Sequence, residues 1–362
     1  MALDLDQLIK AGSELTHQPS SSVPVVLMTR IRLARNIAGY PFPGFASEED
    51  RENVFRQVVE AARGQDLLGD PLVLRIADLS EREKRILVER HLISRELAEA
   101  EAGAGVILNA DQSCSIMVNE EDHLRMQAML AGFQLEKVWK RIDELDSGLE
   151  GRLEYAFSPD LGYLTACPSN VGTGLRASVM MHLPGLVIAK SMEKVIRAVN
   201  QIGLVVRGWF GEGSDASGSI FQISNQQTLG ESEAAILKRL GNVLKTVRKQ
   251  EENARLRLLE SDRNRILDRI GRAYGSLRHS HLLSSNEGMS VLSLIRMGVD
   301  FGIFPKEVRS RVDRLFIETQ PAHVQHLASS ELESAARDSL RANLLREEFA
   351  SLPEPDWEKA PS

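Results

Sequence analysis

A run of acidic residues ends in an arginine at Glu120–Arg125. Such a run allows one carboxylate to orient and deprotonate a cationic nucleophile while Arg125 faces a phosphate. The same residues would also make an ordinary helix start, because acidic side chains stabilise the positive end of a helix. In that helix Glu121 and Arg125 would be neighbours at i,i+4, and the pattern predicts helix onward from Met126 to about Leu149.

A cysteine followed by a proline and a glycine-rich turn lies within Gly162–Ser178. Pro168 biases the backbone of Cys167 toward extended geometry, which restricts the direction in which the thiol points. Gly172 and Gly174 allow positive φ or a close approach of the backbone to a ligand. Arg176 supplies a planar fork suited to phosphate oxygens. A core strand with a buried cysteine is the alternative for this segment taken alone.

Two arginines alternate with apolar residues in a predicted strand over Val23–Arg35. Arg30 and Arg32 would share one strand face, opposite Ile31 and Leu33. Like charges on one face repel each other unless an anion lies between them. The pair therefore indicates either an anion site or a solvated edge strand.

A second glycine-rich stretch, Gly208–Gly218, follows a predicted strand that ends at Arg207. It lacks the Gly-Lys-Ser/Thr ending of a phosphate-binding P-loop, and it does not match the glycine spacing of dinucleotide-binding folds. We interpret it as a mobile hairpin loop with Glu212 at its tip. An ordinary glycine-rich hairpin turn is the alternative.

These stretches require a fold with both strands and helices. Hydrophobic patterns predict further strands at 105–109, 114–119, 154–157, 163–165, 176–183, 203–207 and 220–225, and helices at 80–100 and 189–202. After Gly230 the strand patterns stop, and charged, helix-forming sequence continues to about Phe349. We therefore predict an α+β fold in three parts, at residues 1–255, 256–350 and a flexible tail at 351–362.

Composition disfavours several functional classes. The 362 residues include 44 Lys and Arg against 51 Asp and Glu, a net charge of −7, so the chain lacks a global basic field for nucleic acid. Two cysteines, Cys114 and Cys167, do not make a disulfide framework, which indicates a reducing compartment. The acidic first residues do not resemble a secretory signal, and no apolar run could span a bilayer. We expect a cytoplasmic protein with no direct nucleic-acid or membrane partner.

Taken together, the motifs resemble the phosphagen (guanidino) kinase family in order and rough spacing, from Val23 to Leu229. The matching segments are Thr29–Arg32, His91–Ile93, Asn119–Arg125, Thr165–Ser178 and Arg207–Glu212. The resemblance implies a catalytic domain with a central antiparallel sheet flanked by helices, within 1–255. It also implies transfer of the ATP γ-phosphoryl group to a guanidinium, with Mg²⁺ held mostly by phosphates and water and not by dedicated metal-ligating residues.

Transfer to a guanidinium requires a proton acceptor as the N–P bond forms. Glu121 is the candidate base, Glu212 the second carboxylate on the guanidinium, and Asp122 and Glu120 are second choices for the base. The resemblance implies that Cys167 touches the guanidinium. The nucleotide-binding residues that we infer are Met28, Thr29, Arg30, Ile31, Arg32, His91, Arg125, Arg176, Ala177, Ser178, Val179, Met180, Arg207, Gly208, Trp209, Phe210, Gly211 and Glu212.

Two features depart from the small-molecule members of the family. Those members carry an amino-terminal helical domain, whereas here the motifs begin almost at once, and the helical region at 256–350 is foreign to them. Both features resemble bacterial kinases that phosphorylate arginine side chains in proteins. In those kinases an Arg-Asp-x-x-Arg-Ala motif is an allosteric phosphoarginine-binding site. It corresponds here to Arg337, Asp338, Ser339, Leu340, Arg341 and Ala342. Arginines at i,i+4 can grip a phosphate, and a solvated charged helix face is the alternative.

The same resemblance implies a homodimer that phosphorylates arginine-bearing proteins in a stress response, with a Clp ATPase, a zinc-binding activator protein and a heat-shock repressor as partners. Three other functions stay open. A kinase of a small free guanidino compound is disfavoured by the missing amino-terminal domain. A non-catalytic phosphoarginine-binding adaptor is disfavoured by the retained carboxylates and cysteine, and a nucleic-acid-binding protein by the net charge.

Overall fold

The computed structural model describes residues 4–10, 24–100, 102–209 and 217–360. Packing divides the chain into two compact units. The first comprises Met1–His17, Met28–Val179 and Ser224–Gly241, and the second comprises Gln18–Leu27, Met180–Ile223 and Asn242–Ser362.

The strands of the described residues form one large sheet and one small hairpin. They are β1 (Val26–Arg35), β2 (Leu72–Arg75), β3 (Gly105–Leu108), β4 (Cys114–Val118), β5 (Leu124–Ala131), β6 (Phe157–Ser158), β7 (Gly162–Tyr163), β8 (Leu175–His182), β9 (Leu204–Arg207) and β10 (Ile220–Asn225). The large sheet has the order β2-β3-β4-β5-β1-β8-β10-β9, and β6 pairs with β7. The pairs β2–β3, β3–β4, β4–β5 and β1–β5 are antiparallel. The predicted antiparallel sheet is confirmed.

Strand β5 corrects a sequence prediction. Its residues, rich in Leu, Met, Gln and Ala, are good helix formers, but the helix predicted from Glu120 and from Met126 is wrong over Leu124–Ala131 and is confirmed only within Leu135–Glu150. The segment instead pairs with β1 on one side and β4 on the other, and it is nearly all buried. Two strand neighbours and burial outweigh helix propensities of a few tenths of a kcal/mol per residue. Helix begins only at Leu135.

Five α-helices lie entirely within the described residues of the first unit. They are α1 (Leu5–Lys10), α2 (Glu48–Arg63), α3 (Glu81–Glu89), α4 (Arg95–Ala98) and α5 (Leu135–Glu150). Ser47 caps α2 in a capping box with Asp50. The continuous helix predicted over 80–100 is wrong, because α3 ends at Glu89 and His91 adopts φ 59° in the turn that follows.

Helices dominate the carboxy-terminal half, as predicted. They are α6 (Pro184–Ile188), α7 (Met192–Gln201), α8 (Glu233–His279), α9 (Ser285–Asp300), α10 (Val308–Glu318), α11 (Pro321–His326) and α12 (Ser334–Ala350). The long α8 is interrupted at Asp262, whose φ is −153°. Within the second unit α9 packs against α10 and α12. In the described part of the chain, no helix is both long and apolar enough to cross a membrane.

The final residues, for which the sequence predicts a flexible tail, contact the helical region up to Ala360. The backbone N–H of Asp356 donates to the Ile303 carbonyl at 2.9 Å, and Arg263 donates to the Ala360 carbonyl at 3.1 Å.

Candidate active site

Arginines of the first unit converge on one face of the sheet. Arg30 and Arg32 are partly exposed on β1, and the residues that alternate with them are buried. In the antiparallel register Arg125 of β5 lies opposite Ala34. Directly opposed residues of antiparallel strands share a face, so Arg125 projects on the same side as the two β1 arginines. Arg176 lies near the start of β8, the neighbour of β1 on its other edge.

The charges of these arginines interact strongly. Burial, together with the positive charges of Arg125 and Arg176, lowers the pKa of Arg30 to about 10. Burial and the charges of Arg30, Arg125 and Arg176 lower the pKa of Arg32 well below its ordinary value. The Arg32 Nε atom is buried and has no hydrogen-bond acceptor among the described residues. A face that concentrates positive charge and leaves a buried donor without an acceptor fits an anion that bears several charges, such as a triphosphate.

One carboxylate already compensates part of this charge. Glu120, whose side chain is 1% exposed, forms an ion pair with Arg125 at 2.5 Å and accepts a hydrogen bond from Ser94. Burial acts to lower the pKa of Arg125, but the charges of Glu120, Glu121 and Asp122 raise it overall. Glu120 therefore holds Arg125 in place and is not available as the base.

The other two acids of the predicted cluster lie in the loop between β4 and β5. Asp122 is buried, and its Oδ1 accepts hydrogen bonds from Asn36 at 2.6 Å and from the Ala166 N–H at 2.7 Å. Glu121 is exposed. Desolvation of its carboxyl is the largest effect that raises the pKa of Glu121, and the negative charges of Asp122 and Glu120 add to it. Only Glu121 of the three carboxylates is open to a substrate, which favours it as the base.

The Cys167 loop is held close to this acidic loop. Ala166, next to Cys167, donates the backbone hydrogen bond to Asp122, next to Glu121. The Cys167 thiol is half-buried, and its Sγ lies 3.0 Å from Ser169 Oγ. The structure thus joins the two loops that carry the predicted base and the predicted guanidinium contact.

The two glycines of this segment adopt the positive φ that the sequence predicts. Gly172 has φ 105°, and a Cβ there would lie 2.5 Å from the Thr228 carbonyl oxygen. Gly174 has φ 64°, and its Cβ would lie 2.6 Å from the Ala34 carbonyl oxygen. In this structure the close approach that requires glycine is to the protein's own backbone. The Thr228 hydroxyl adds hydrogen bonds to the Ser169 and Val171 carbonyls.

Sequence reasoning missed two buried asparagines that position these segments. Asn36, 1% exposed, donates from Nδ2 to Asp122 and to the Leu164 carbonyl, and its Oδ1 accepts from the His123 N–H at 2.8 Å. Asn225 accepts from the Ala177 N–H and donates to the Leu175 carbonyl, both at 2.8 Å, so it fixes the backbone on either side of Arg176. Nothing in their residue type or spacing marks them in the sequence.

The remaining predicted nucleotide-binding residues of β1 and β8 are buried in the strands. They are Met28, Thr29, Ile31, Ala177, Ser178, Val179 and Met180. Ser178 donates from its hydroxyl to the Arg30 carbonyl at 3.3 Å. His91 is also buried, and its carbonyl accepts a hydrogen bond from Gln127 at 2.8 Å. Because Gln127 lies opposite Arg32, this bond places the His91 turn at the arginine face.

The predicted residues around the second glycine-rich stretch belong to the second unit. Arg207 is the last residue of β9. Gly208 is buried, and the Trp209 ring is 2% exposed and packs against Phe316 with centroids 6.1 Å apart. The predicted site residues Phe210, Gly211 and Glu212 lie outside the described residues.

The predicted phosphoarginine motif lies on α12. The Arg341 side chain is 2% exposed, pairs with Asp338 at 2.6 Å and donates to the Thr319 and Leu283 carbonyls at 2.7 and 2.8 Å. Arg341 is therefore not part of a solvated helix face. Arg337, Ser339 and Leu340 are half-buried, Ala342 is buried, and Arg337 donates to the Leu332 carbonyl. In the ranges that the structure describes, no group of three or more His, Cys, Asp or Glu could hold a metal ion.

Known proteins resemble this chain over most of its length. The ATP:guanido phosphotransferase C-terminal catalytic domain matches residues 52–254, and the protein-arginine kinase McsB C-terminal domain matches residues 263–360. The protein-arginine kinase of Pelotomaculum thermopropionicum is 44% identical over 91% of this chain and 93% of its own. That of Shouchella clausii is 43% identical over 95% of this chain and 97% of its own.

Solved structures show the same fold in the catalytic region. The duplicated taurocyamine kinase from Schistosoma mansoni, with bound components of a transition-state analogue, superposes with a TM-score of 0.59 at 25% identity, over 67% of this chain and 36% of that one. A lombricine kinase gives 0.58 at 26% identity, over 69% of this chain and 71% of its own. The present chain therefore belongs to the ATP:guanido phosphotransferase family and, within it, to the protein-arginine kinases.

Proposed function

We propose that this chain transfers the γ-phosphoryl group of ATP to the guanidinium of arginine side chains in proteins, giving N-phosphoarginine and ADP. The observation that carries the proposal is the pairing of a multiply basic sheet face with an adjacent acidic loop that is tied to the Cys167 loop. A triphosphate requires the first feature and a guanidinium requires the second. The protein-arginine kinases that match nearly the whole chain support a protein substrate.

The basic face acts on the phosphates. Arg30, Arg32, Arg125 and Arg176 neutralise the triphosphate and spread the charge that develops as the γ-phosphoryl group moves. Three of them lie on paired strands, and the Glu120 ion pair fixes Arg125. These contacts are therefore preorganised and need little rearrangement when ATP binds.

The acidic loop acts on the guanidinium. A guanidinium nitrogen attacks the γ-phosphorus, the bond from that phosphorus to the bridging oxygen breaks, and the proton of the attacking nitrogen passes to Glu121. The raised pKa of Glu121 brings the carboxylate closer to a useful base strength at neutral pH. Cys167 contacts the far edge of the guanidinium, and Glu212 is proposed as the second carboxylate.

ATP enters with a divalent metal ion as part of the substrate, and we propose Mg²⁺. The phosphates and water supply its ligands. His91 would lie near the base or ribose, and nucleotide binding by Arg207, Gly208 and Trp209 is proposed from the family relationship.

The proposal extends to regulation and partners. Residues 1–255 carry the transfer reaction, and residues 256–350 bind phosphoarginine through the Arg337–Ala342 motif. A cytoplasmic homodimer acting in the stress response with a Clp ATPase, a zinc-binding activator and a heat-shock repressor is proposed from the family relationship.

One experiment tests the activity and its main alternative. The chain is incubated with ATP and an arginine-rich protein, or with ATP and free arginine, and the products are analysed by mass spectrometry under non-acidic conditions. Phosphoarginine in the protein and little phosphorylated free arginine would support the proposal. Phosphorylation of free arginine alone would identify a small-molecule guanidino kinase, and no transfer to either would favour a phosphoarginine-binding adaptor.

A further inference from the structure

We propose that Asn36 is a positioning residue that fixes the separation between the Glu121 loop and the Cys167 loop. This inference rests on the proposed transfer to a guanidinium. Asn36 follows β1, the strand that carries Arg30 and Arg32. One amide side chain therefore connects the end of the phosphate-binding strand to both segments that face the guanidinium.

The hydrogen bonds of Asn36 use the full donor capacity of its amide. The Nδ2 group donates to Asp122 Oδ1 at 2.6 Å and to the Leu164 carbonyl at 3.0 Å, and Oδ1 accepts from the His123 N–H at 2.8 Å. Two of these contacts lie immediately after Glu121 in the chain, and the third lies three residues before Cys167. A rotation of the amide would break contacts to both loops together.

The chemistry of the site requires asparagine at this position. An aspartate would lose both donors and place a second carboxylate against Asp122, in a position that is 1% exposed. A serine would offer one donor in place of two. The donated hydrogen bonds also stabilise the charged form, because those from Ala166 and Asn36 act to lower the pKa of Asp122 against the effect of burial.

The consequence concerns alignment. Glu121 must hold the attacking nitrogen in line with the γ-phosphorus while Cys167 touches the same guanidinium. A displacement of about 1 Å in such a constellation can reduce the rate about 100-fold. Loss of the Asn36 bridge should therefore reduce kcat far more than it changes the KM for ATP.

An exchange of donor and acceptor gives the test. Asn36→Asp should reduce kcat about 100-fold, and Asn36→Asp combined with Asp122→Asn should recover at least about tenfold of it. The double variant restores a hydrogen bond between positions 36 and 122 with its direction reversed, and it contains one carboxylate instead of two. The Leu164 carbonyl still lacks its donor in the double variant, so the recovery should be partial. Asp122→Asn alone completes the cycle.

Asn109→Asp is the matched control. Asn109 is also buried, and it accepts from the Cys114 N–H at 2.9 Å at the opposite end of β4 from the acidic loop. This control should lower the melting temperature and leave kcat unchanged. ATP affinity by calorimetry shows that each variant is folded.

The alkylation rate of Cys167 can be measured without a protein substrate. It reports on Cys167 because the other cysteine, Cys114, is buried. We expect the rate to rise several-fold in Asn36→Asp and to return toward the wild-type value in the double variant. A folded Asn36→Asp enzyme with wild-type kcat and alkylation rate would overturn the inference, and so would a double variant that recovers neither. If the wild-type enzyme phosphorylates no protein, the proposed function fails, while the alkylation series still decides the role of Asn36.

Discussion

Replacement of Arg30 by methionine should stabilise the protein without nucleotide and weaken ATP binding. In the folded state burial of Arg30, together with the positive charges of Arg125 and Arg176, lowers its pKa to about 10. One pKa unit corresponds to about 1.4 kcal/mol, so a charged Arg30 at neutral pH costs the folded state about 3 kcal/mol before screening. Because the side chain is partly exposed, screening by solvent and salt reduces this cost to about 1 to 2 kcal/mol.

The cost of the Arg30 charge depends on pH, because protonation of Arg30 is linked to folding. The folded-state pKa of Arg30 is lower than the unfolded-state pKa, so the folded state binds fewer protons at high pH. The cost of the charge is fully present below about pH 10 and is relieved as the pH rises through that value. Methionine removes the charge at every pH and keeps much of the apolar contact of the arginine stem.

Urea unfolding with and without MgATP measures both effects. Arg30→Met should raise the free energy of unfolding by about 1 to 2 kcal/mol in the absence of nucleotide. It should also show a smaller stabilisation by ATP than the wild type, since ligand stabilisation depends on the ratio of concentration to Kd. At 100 times Kd the wild type gains about 2.7 kcal/mol.

Arg75→Met is the matched control, because Arg75 lies in a strand of the same sheet but forms two hydrogen bonds with Glu52 at 2.6 and 2.7 Å. Both partners are more than a third exposed, so this replacement should lower stability by about 0 to 1 kcal/mol and leave ATP binding unchanged. If Arg30→Met is less stable than the wild type without nucleotide, or gains as much from ATP, the reasoning about the arginine face is wrong.

Three further predictions concern other parts of the chain. Glu121→Gln should reduce kcat by a factor of about 10² to 10⁴ while ATP binding is retained, and near-normal turnover in the variant would remove Glu121 from the base role. In the wild type, kcat should fall on acidification at a pH above the ordinary pKa of glutamate, because desolvation raises the pKa of Glu121. Gly172→Ala should lower the free energy of unfolding by about 1 to 3 kcal/mol and reduce kcat. Gly172 has φ 105°, and a Cβ there would lie 2.5 Å from the Thr228 carbonyl oxygen. An unchanged melting curve would contradict this prediction. Arg341→Ala should lower the free energy of unfolding by about 3 to 5 kcal/mol, because it removes the hydrogen-bond donors of two buried carbonyls and a carboxylate. Arg337→Ala should mainly weaken phosphoarginine binding, measured by calorimetry. Equal affinity for phosphoarginine in Arg337→Ala and the wild type would exclude Arg337 from that site.

The sequence by itself determined the chemistry of the site. Residue types and their order indicated the candidate carboxylate and arginines, because proton transfer to a carboxylate and phosphate binding by guanidinium groups depend on the chemistry of those side chains. The role of Cys167 came from the family resemblance. The sequence also determined local geometry where one residue decides it, as in the period-2 alternation that puts Arg30 and Arg32 on one face. The positive φ of Gly172 and Gly174 is a second case of this kind.

Only the tertiary structure decided which charged groups are available to a substrate. Arg125 lies on a strand because β1 and β4, distant in the chain, supply its hydrogen-bonding neighbours and override a local helix preference. Glu120, Asp122 and Arg341 look as reactive in the sequence as Glu121, yet the fold assigns them to buried hydrogen bonds and ion pairs. Those partners lie up to 86 positions away in the chain, as Asn36 does from Asp122. Local propensity carries no information about such pairs, because they form only when packing brings the segments together.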